Sequence, residues 1–408
     1  MGCEWKNVRL GDSSIQIIDG DRGVNYPNQN EFFAQEFCLF LNAKNITKDG
    51  FILNDLSFIA MEKDQALRKG KLCRNDIVMT TRGTVGNIAY YSSKIPFENI
   101  RINSGMVIFR TDSAKVFPAF LYWLLRSDIV QNQISSLMTG SAQPQLPISS
   151  IKHLILPIPD INTQRMIASI ISCLDDKIEL NNKINANLEA QAQAIFKSWF
   201  VDFEPFHDGE FVDSELGRIP KGWITLTFAD FISASSEKSN DPEIPEYSVT
   251  NTGIYPRNEK YKKKLSMTNG ANKVIRKNDL VFGMSREILN WGMMKDEIGG
   301  VSSAYNVFSL KTDLANPDYI EEFMKARQDY FYDVIKPAAR EGQGIDRRAL
   351  LSKLIYLPPA SVYDDYVAIR NSLYSLIAKS ISENDALSVI RDSLLPKLMS
   401  GEVKVTLR

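Results

Sequence analysis

The chain has 408 residues, of which 44% are hydrophobic, 10% aromatic and 24% charged, the profile of a globular protein long enough for two or three domains. No apolar run approaches the ~20 residues that span a bilayer, and the N-terminus lacks the apolar stretch of a secretory signal, so a cytoplasmic protein is expected. Lys6 stands where a myristoylation motif needs Ser or Thr. Cys3, Cys38, Cys73 and Cys173 form no Cys-x-x-Cys pair, and with only His153 and His207 beside them they indicate neither a zinc site nor a disulfide framework and argue against a metal enzyme. The net charge of -1 hides a segregation: Arg257 to Lys277 carries eight basic residues against one acidic, and Asp160 to Glu204 seven acidic against four basic. A nucleic-acid binder needs local basic surface rather than net charge, so the composition leaves that class open.

In chain order, RNDIVMTTRGTVGNIAYY (Arg74 to Tyr91) predicts a strand, a glycine-bearing turn and a strand, and MVIFRTD, ending at Asp112, a further strand. FPAFLYWLLRSDIVQNQI has a helical pattern, and SSIKHLILPIP (Ser149 to Pro159) returns to a strand. A long helix follows. Ile167, Ile171, Leu174, Ile178, Leu188, Ala192, Ile195 and Trp199 recur at spacings of three and four, with Asn181 and Asn185 in the gap, which is a coiled-coil stripe with polar interruptions.

The chain then repeats itself. Asn278-Asp279-Leu280-Val281 restates Asn75-Asp76-Ile77-Val78; NVFSLKTD, ending at Asp313, restates MVIFRTD; and LLSKLIYLPPA (Leu350 to Ala360) restates SSIKHLILPIP, all in nearly one register. A second long helix carries Ile369, Leu373, Leu376, Leu387, Ile390 and Leu394, with Ser380 and Glu383 in the gap. Helices of some 40 residues, about 60 Å at 1.5 Å per residue, must bury such stripes against each other. The expected fold is α+β: two pseudo-symmetric globular domains separated by two long antiparallel coiled-coil helices. The predicted limits are 1–158 for the first domain, 159–203 for the first spacer helix, 204–359 for the second domain, and 360–408 for the second helix and tail.

GSAQPQLPISSIKHLILPIP before the first helix, IFKSWFVDFEPF at its end, ELGRIPKGW at the start of the second domain and LLPKLMSGEV at the C-terminus resemble the specificity (S) subunits of type I restriction-modification enzymes. TRGTVGNIAYY and VSSAYNVF are also similar to segments of that family, whereas EGQGIDRRAL replaces a second copy of GSAQPQLP. The resemblance covers essentially the whole chain and implies a non-catalytic subunit of the prokaryotic cytoplasm, with two target recognition domains each reading half of a split site in double-stranded DNA. It implies two methyltransferase subunits carrying S-adenosylmethionine and restriction subunits using ATP and magnesium, with no cofactor bound by this chain.

Base edges are read by Arg, Lys, Asn and Gln on loops. In the first domain Thr81, Arg82, Arg101, Asn103, Gln143 and Gln145 occupy such places, and in the second Arg286, Lys295, Arg340, Gln343, Arg347 and Arg348. The basic run Lys260, Lys262, Lys263, Lys264, Lys273, Arg276 and Lys277 suits phosphates, which ask for charge more than geometry. Phe196, Trp199 and Phe200 either cap the coiled coil or anchor a methyltransferase subunit, with Leu394, Leu395 and Leu398 as their counterparts in the repeat. Asn316-Pro317-Asp318-Tyr319 is similar to an adenine-methyltransferase tetrapeptide, but its proline falls at a helix start and no glycine-rich cofactor loop accompanies it. The alternative function is a stand-alone bipartite DNA-binding protein or scaffold without enzyme partners.

Overall fold

A computed structural model of the chain describes residues 5–140, 143–257, 272–285, 288–335 and 344–405. They fall into two units, Met1–Lys183 with Ser380–Arg408, and Ile184–Lys379. The division does not follow the expected one: each unit holds one globular head together with half of each long helix.

In the first unit Lys6–Arg9 pairs antiparallel with Ile155–Ile158 and closes the head where the chain enters and leaves it. A four-stranded sheet runs Gln16–Asp19, Met106–Arg110, Ile77–Thr80, Ile88–Tyr90, and a three-stranded one Phe58–Ile59, Cys38–Leu41, Ile100–Ile102. The second unit repeats this. Ile224–Thr227 pairs with Leu354–Leu357, and a four-stranded sheet runs Ile232–Ser235, Asn306–Leu310, Leu280–Phe282, Trp291–Met293. The helix Pro118–Arg126 has its counterpart in Pro317–Ala326, where Asn316 caps the N-terminus by accepting from Asp318 N and Tyr319 N. That local role accounts for the methyltransferase-like tetrapeptide.

The repeated Asn-Asp pair is a turn. Asn75 and Asn278 both adopt the left-handed conformation, φ 72° and 68°, which asparagine tolerates better than other side chains. The following Asp76 and Asp279 are buried, and each carboxylate accepts a backbone N–H three residues back, from Cys73 at 2.7 Å and from Arg276 at 2.8 Å. Asp76 also holds Arg110 through both carboxylate oxygens, at 2.9 and 2.7 Å. At the same place in the second sheet stands Ser309, and burial pushes the Asp279 carboxyl above its usual value against the opposing Arg276 N–H and Ser309 hydroxyl.

The long helices run unbroken over Ile161–Phe200 and Ala360–Ser400. In the first unit their halves pair antiparallel: Arg391 bonds Asp175 at 2.8 Å, and buried Asn181 donates to Glu383 at 2.8 Å and Asn384 at 2.9 Å. On the first helix the expected stripe is the inward one, with Ile167 and Ile171 fully buried. On the second the expectation is corrected: Ile369, Leu376 and Ile390 are 40%, 51% and 44% exposed. The inward positions there include Tyr366, Arg370, Leu373, Ile377, Ser380, Asn384, Leu387, Arg391, Leu394 and Leu398, again spaced four and three. Each lies 199 residues after a member of the first stripe.

A second correction concerns the aromatic helix end. Phe196 and Phe200 are fully buried in the core of the second unit, their rings against Tyr319 and Tyr366 at 4.9 to 5.7 Å, and half-buried Trp199 packs on Phe206 and Tyr366. Leu398 and Met399 are buried in the core of the first unit, with Leu394 and Leu395 against it. Three of the six expected anchors, Phe196, Phe200 and Leu398, are core residues of the two heads, and Trp199, Leu394 and Leu395 are partly buried against those cores.

Candidate nucleic-acid interface

In the first unit four loops converge beyond the ends of the central sheet. Thr81 N donates to Gly105 O at 2.7 Å, Leu146 N to Thr81 O at 2.9 Å, and Arg82 bridges Gln145. Gly20 approaches so closely that a Cβ there would stand 2.1 Å from Asn103 O. Only glycine fits that crossing. The structure therefore brings Arg82, Asn103 and Gln145 together, with exposed Gln143 on the same loop as Gln145. Asn103 spends its side-chain oxygen on Gly105 N at 2.9 Å, and its amide remains a donor.

Two expected readers leave this set. Thr81 is buried, contributing backbone only. Arg101 is 5% exposed and saturated: Nε bonds Asp64 Oδ1 at 2.5 Å, and the other nitrogens donate to the carbonyls of Lys69, Asp64 and Leu67 at 2.7 to 3.1 Å. It is a core cross-link, since a buried guanidinium must be paired to be tolerated.

Residues beyond the sequence-derived set join the face. Exposed Arg68 and Lys69 donate their backbone N–H groups to Asp21 Oδ2 at 2.6 and 3.4 Å, and Arg22 reaches Ser104 O at 3.2 Å and Asp19 at 3.2 Å. Burial works against the Asp21 carboxylate, but these N–H groups and that of Gly23 hold its pKa below the usual value. A signal for it lay in the sequence: Asp-Gly-Asp-Arg-Gly after the β-branched run Ile15 to Ile18 suits a built turn with a cation at its tip.

In the second unit Lys262, Lys263, Lys264, Arg286, Arg340 and Gln343, with Lys260, lie outside the described residues. Arg347 and Arg348 are exposed at the start of the helix Arg347–Ser352, and Arg347 Nε bonds Asn306 Oδ1 at 2.8 Å. Half-buried Lys273 donates to Tyr305 O at 2.5 Å; burial, then the charges of Arg347 and Lys238, push its ammonium down. Such a like-charge group is relieved by an incoming anion. Arg276 and Lys277 are paired on the surface with Glu237 and Glu297. Lys295 is removed from the reading set, because it is tied to Asp318 and Glu321 beside a cleft of about 620 Å³ lined also by Phe196 and Trp291.

The described residues contain no group of three or more His, Cys, Asp or Glu able to hold a metal, and no helix long and apolar enough to cross a membrane. What the two heads share is a sheet-and-turn frame presenting cationic and amide side chains from loops, chemistry that suits the class of nucleic-acid-reading proteins.

Comparison with known proteins gives that class a family. Residues 3–190 match the type I restriction modification DNA specificity domain. The type I restriction enzyme MjaIX specificity subunit of Methanocaldococcus jannaschii is 27% identical over 360 residues, 81% of this chain and 78% of that protein. The HindI specificity subunit of Haemophilus influenzae is 31% identical over 207 residues, 50% of this chain and 42% of its own length. The crystal structure of the S subunit from M. genitalium shares the fold, with a TM-score of 0.52 at 15% identity over 99% of this chain and 97% of that one. By these comparisons the chain is similar to the specificity subunits of type I restriction-modification enzymes, with the family's DNA specificity domain matched over residues 3–190.

Proposed function

We propose that the chain is the non-catalytic, sequence-reading subunit of its restriction-modification complex, each head reading one half of a split target in double-stranded DNA. The observation that carries this is the duplicated frame ending in two different sets of loop cations and amides. The long helices serve as the spacer that sets the gap between half-sites, and two methyltransferase subunits dock against them. Apolar side chains left outside the stripes, Ile170 and Ile369 at matching places in the repeat and Leu180, Ile184, Ile381 and Val389, support that docking. S-adenosylmethionine belongs to the methyltransferase subunits, and ATP with magnesium to the restriction subunits. The host with its neighbouring genes is compared with the same host lacking only this gene, by genome-wide mapping of methylated bases. Loss of a split motif supports the reading; an unchanged map rejects it in favour of a stand-alone DNA-binding protein. Lengthening the first helix by whole turns widens the gap and leaves both half-sites unchanged.

A further inference from the structure

Among the described residues of the first unit the most exposed apolar side chain is Val24, 100% accessible at the tip of the loop Asp21–Asn25. Its loop is held at every step. Asp21 Oδ1 accepts Gly23 N at 3.0 Å, Tyr26 N donates to Gly23 O at 3.0 Å, and Asn25 Nδ2 donates to Ala66 O at 3.1 Å. Pro27 is buried just beyond, and the Tyr26 ring sits edge-on to Phe40 at 5.7 Å. A valine presented bare on a fixed turn gains nothing for folding, since it buries no apolar area.

Its surroundings say what it meets. Arg22, Arg68, Lys69 and Arg82 stand on the same face, against Asp19 and Asp21, and Asp21 is already spent on backbone N–H groups. The contact of Arg22 with Ser104 O seats this loop beside Asn103 and Arg82. A cationic rim suits a polyanion, and the apolar partner that duplex DNA offers a short branched side chain is the C5 methyl of thymine, displayed in the major groove. A minor-groove wedge is made by Phe, Leu, Ile, Met or Pro, which pry base steps apart.

We propose that Val24 reads a thymine methyl in the half-site of the first recognition unit, with Arg22 and Arg68 fixing the loop on the flanking phosphates. The proposal rests on the reading of this chain as the specificity subunit. The test uses the complex of the full chain with its methyltransferase subunits and a duplex bearing the split target obtained from methylation mapping. Each thymine of the first half-site is replaced in turn by deoxyuridine, which lacks only the methyl group. Loss of one buried methyl lowers affinity about fourfold at one position. The V24S complex binds thymine and deoxyuridine duplexes equally at that position and keeps the discrimination at all others. A wild-type complex indifferent to every deoxyuridine overturns the proposal, as does a V24S complex that still discriminates or weakens equally on all duplexes. In each of those outcomes the split target is still bound, so the assignment of the specificity subunit stands; a wild-type complex that ignores the split target rejects that assignment instead.

Discussion

The two recognition units share a frame, and the places where they part show which positions packing dictates and which are left to recognition. Both close with a strand pair at the entry and exit of the head, both turn on a left-handed asparagine, and both bury the aspartate that follows. On the helices Pro118–Arg126 and Pro317–Ala326, however, Tyr122 and Trp123 correspond to Glu321 and Glu322. Where the first unit stacks Tyr122 on Tyr90 at 5.6 Å, the second has the cleft bounded by Trp291 and Phe196. Burial raises Glu322 above its usual carboxyl range, and Arg370 and Lys325 offset this in part. Frame positions repeat because a one-residue shift would turn the strands inside out. The flanking positions are free to diverge because they need only be filled or paired.

The largest test of this comparison lies at the helix ends. Phe200 and Met399 are equivalent by the repeat, fully buried, and belong to different heads. F200A should cost the second unit about 4 kcal/mol and M399A the first about 3 kcal/mol, the ordinary range for large-to-small core changes. Denaturant unfolding followed by Trp123 for the first unit and Trp223 for the second separates the two. Should F200A leave unfolding unchanged and abolish assembly with methyltransferase subunits, the partner-anchor role would return.

Next in size is the buried aspartate. D76N leaves Arg110 without its two-oxygen partner and should destabilise the first unit by about 3 kcal/mol, the lower end for a broken buried pair because Arg110 is partly exposed. D279N keeps an acceptor for Arg276 N and removes a carboxylate that burial disfavours, so its cost should be about 1 kcal/mol or less. Equal costs would show that the frame, rather than the arginine, governs the site.

Much of this was legible before the structure. The repeat found through Asn75 and Asn278 located equivalent strands, and Pro317 did mark a helix start. The first stripe was right because its heptad includes Asn181 and Asn185 as well as the apolar residues. The second was misread because Arg370 and Arg391 occupy inward places while Ile369 and Ile390 point out, so hydrophobicity alone tracked the wrong face. The landmark interval does not find it either, because Asn75 and Asn278 are 203 residues apart whereas the stripes are offset by 199. Arg101 illustrates the other limit. A loop arginine and a core arginine read alike until Asp64, far along the chain, comes into contact.

Asp279 also gives the comparison a pH signature. Its folded pKa lies above its unfolded value, so between about pH 4, where the unfolded carboxyl titrates, and the raised folded value the native state holds the extra proton. Stability of the second unit should therefore fall as pH rises through that window and level off above it. D279N should flatten this component of the second unit's profile, and a slope unaltered by D279N would assign it to another group.

The smallest effect separates two lysines one place apart in the repeat, Lys71 four residues before Asn75 and Lys273 five before Asn278. Lys71 faces Arg101 across a bridge as Lys273 faces Val301 across its strand pair. Lys71 is bonded to Asp64 at 2.5 Å, whereas Lys273 sits among Arg347 and Lys238 and donates a hydrogen bond to the Tyr305 carbonyl. A lysine already paired with a carboxylate has little charge to offer a phosphate; one crowded by cations is poised to receive it. K71M should therefore lower stability of the first unit by about 1 kcal/mol and leave the salt dependence of DNA binding alone. K273M should leave stability unchanged or slightly raised, weaken binding evenly across sequences, and reduce the slope of log affinity against log salt by about one. If K71M alters the salt slope and K273M does not, the phosphate contact lies on the first unit, and the pairing of Lys71 with Asp64 must open when DNA binds.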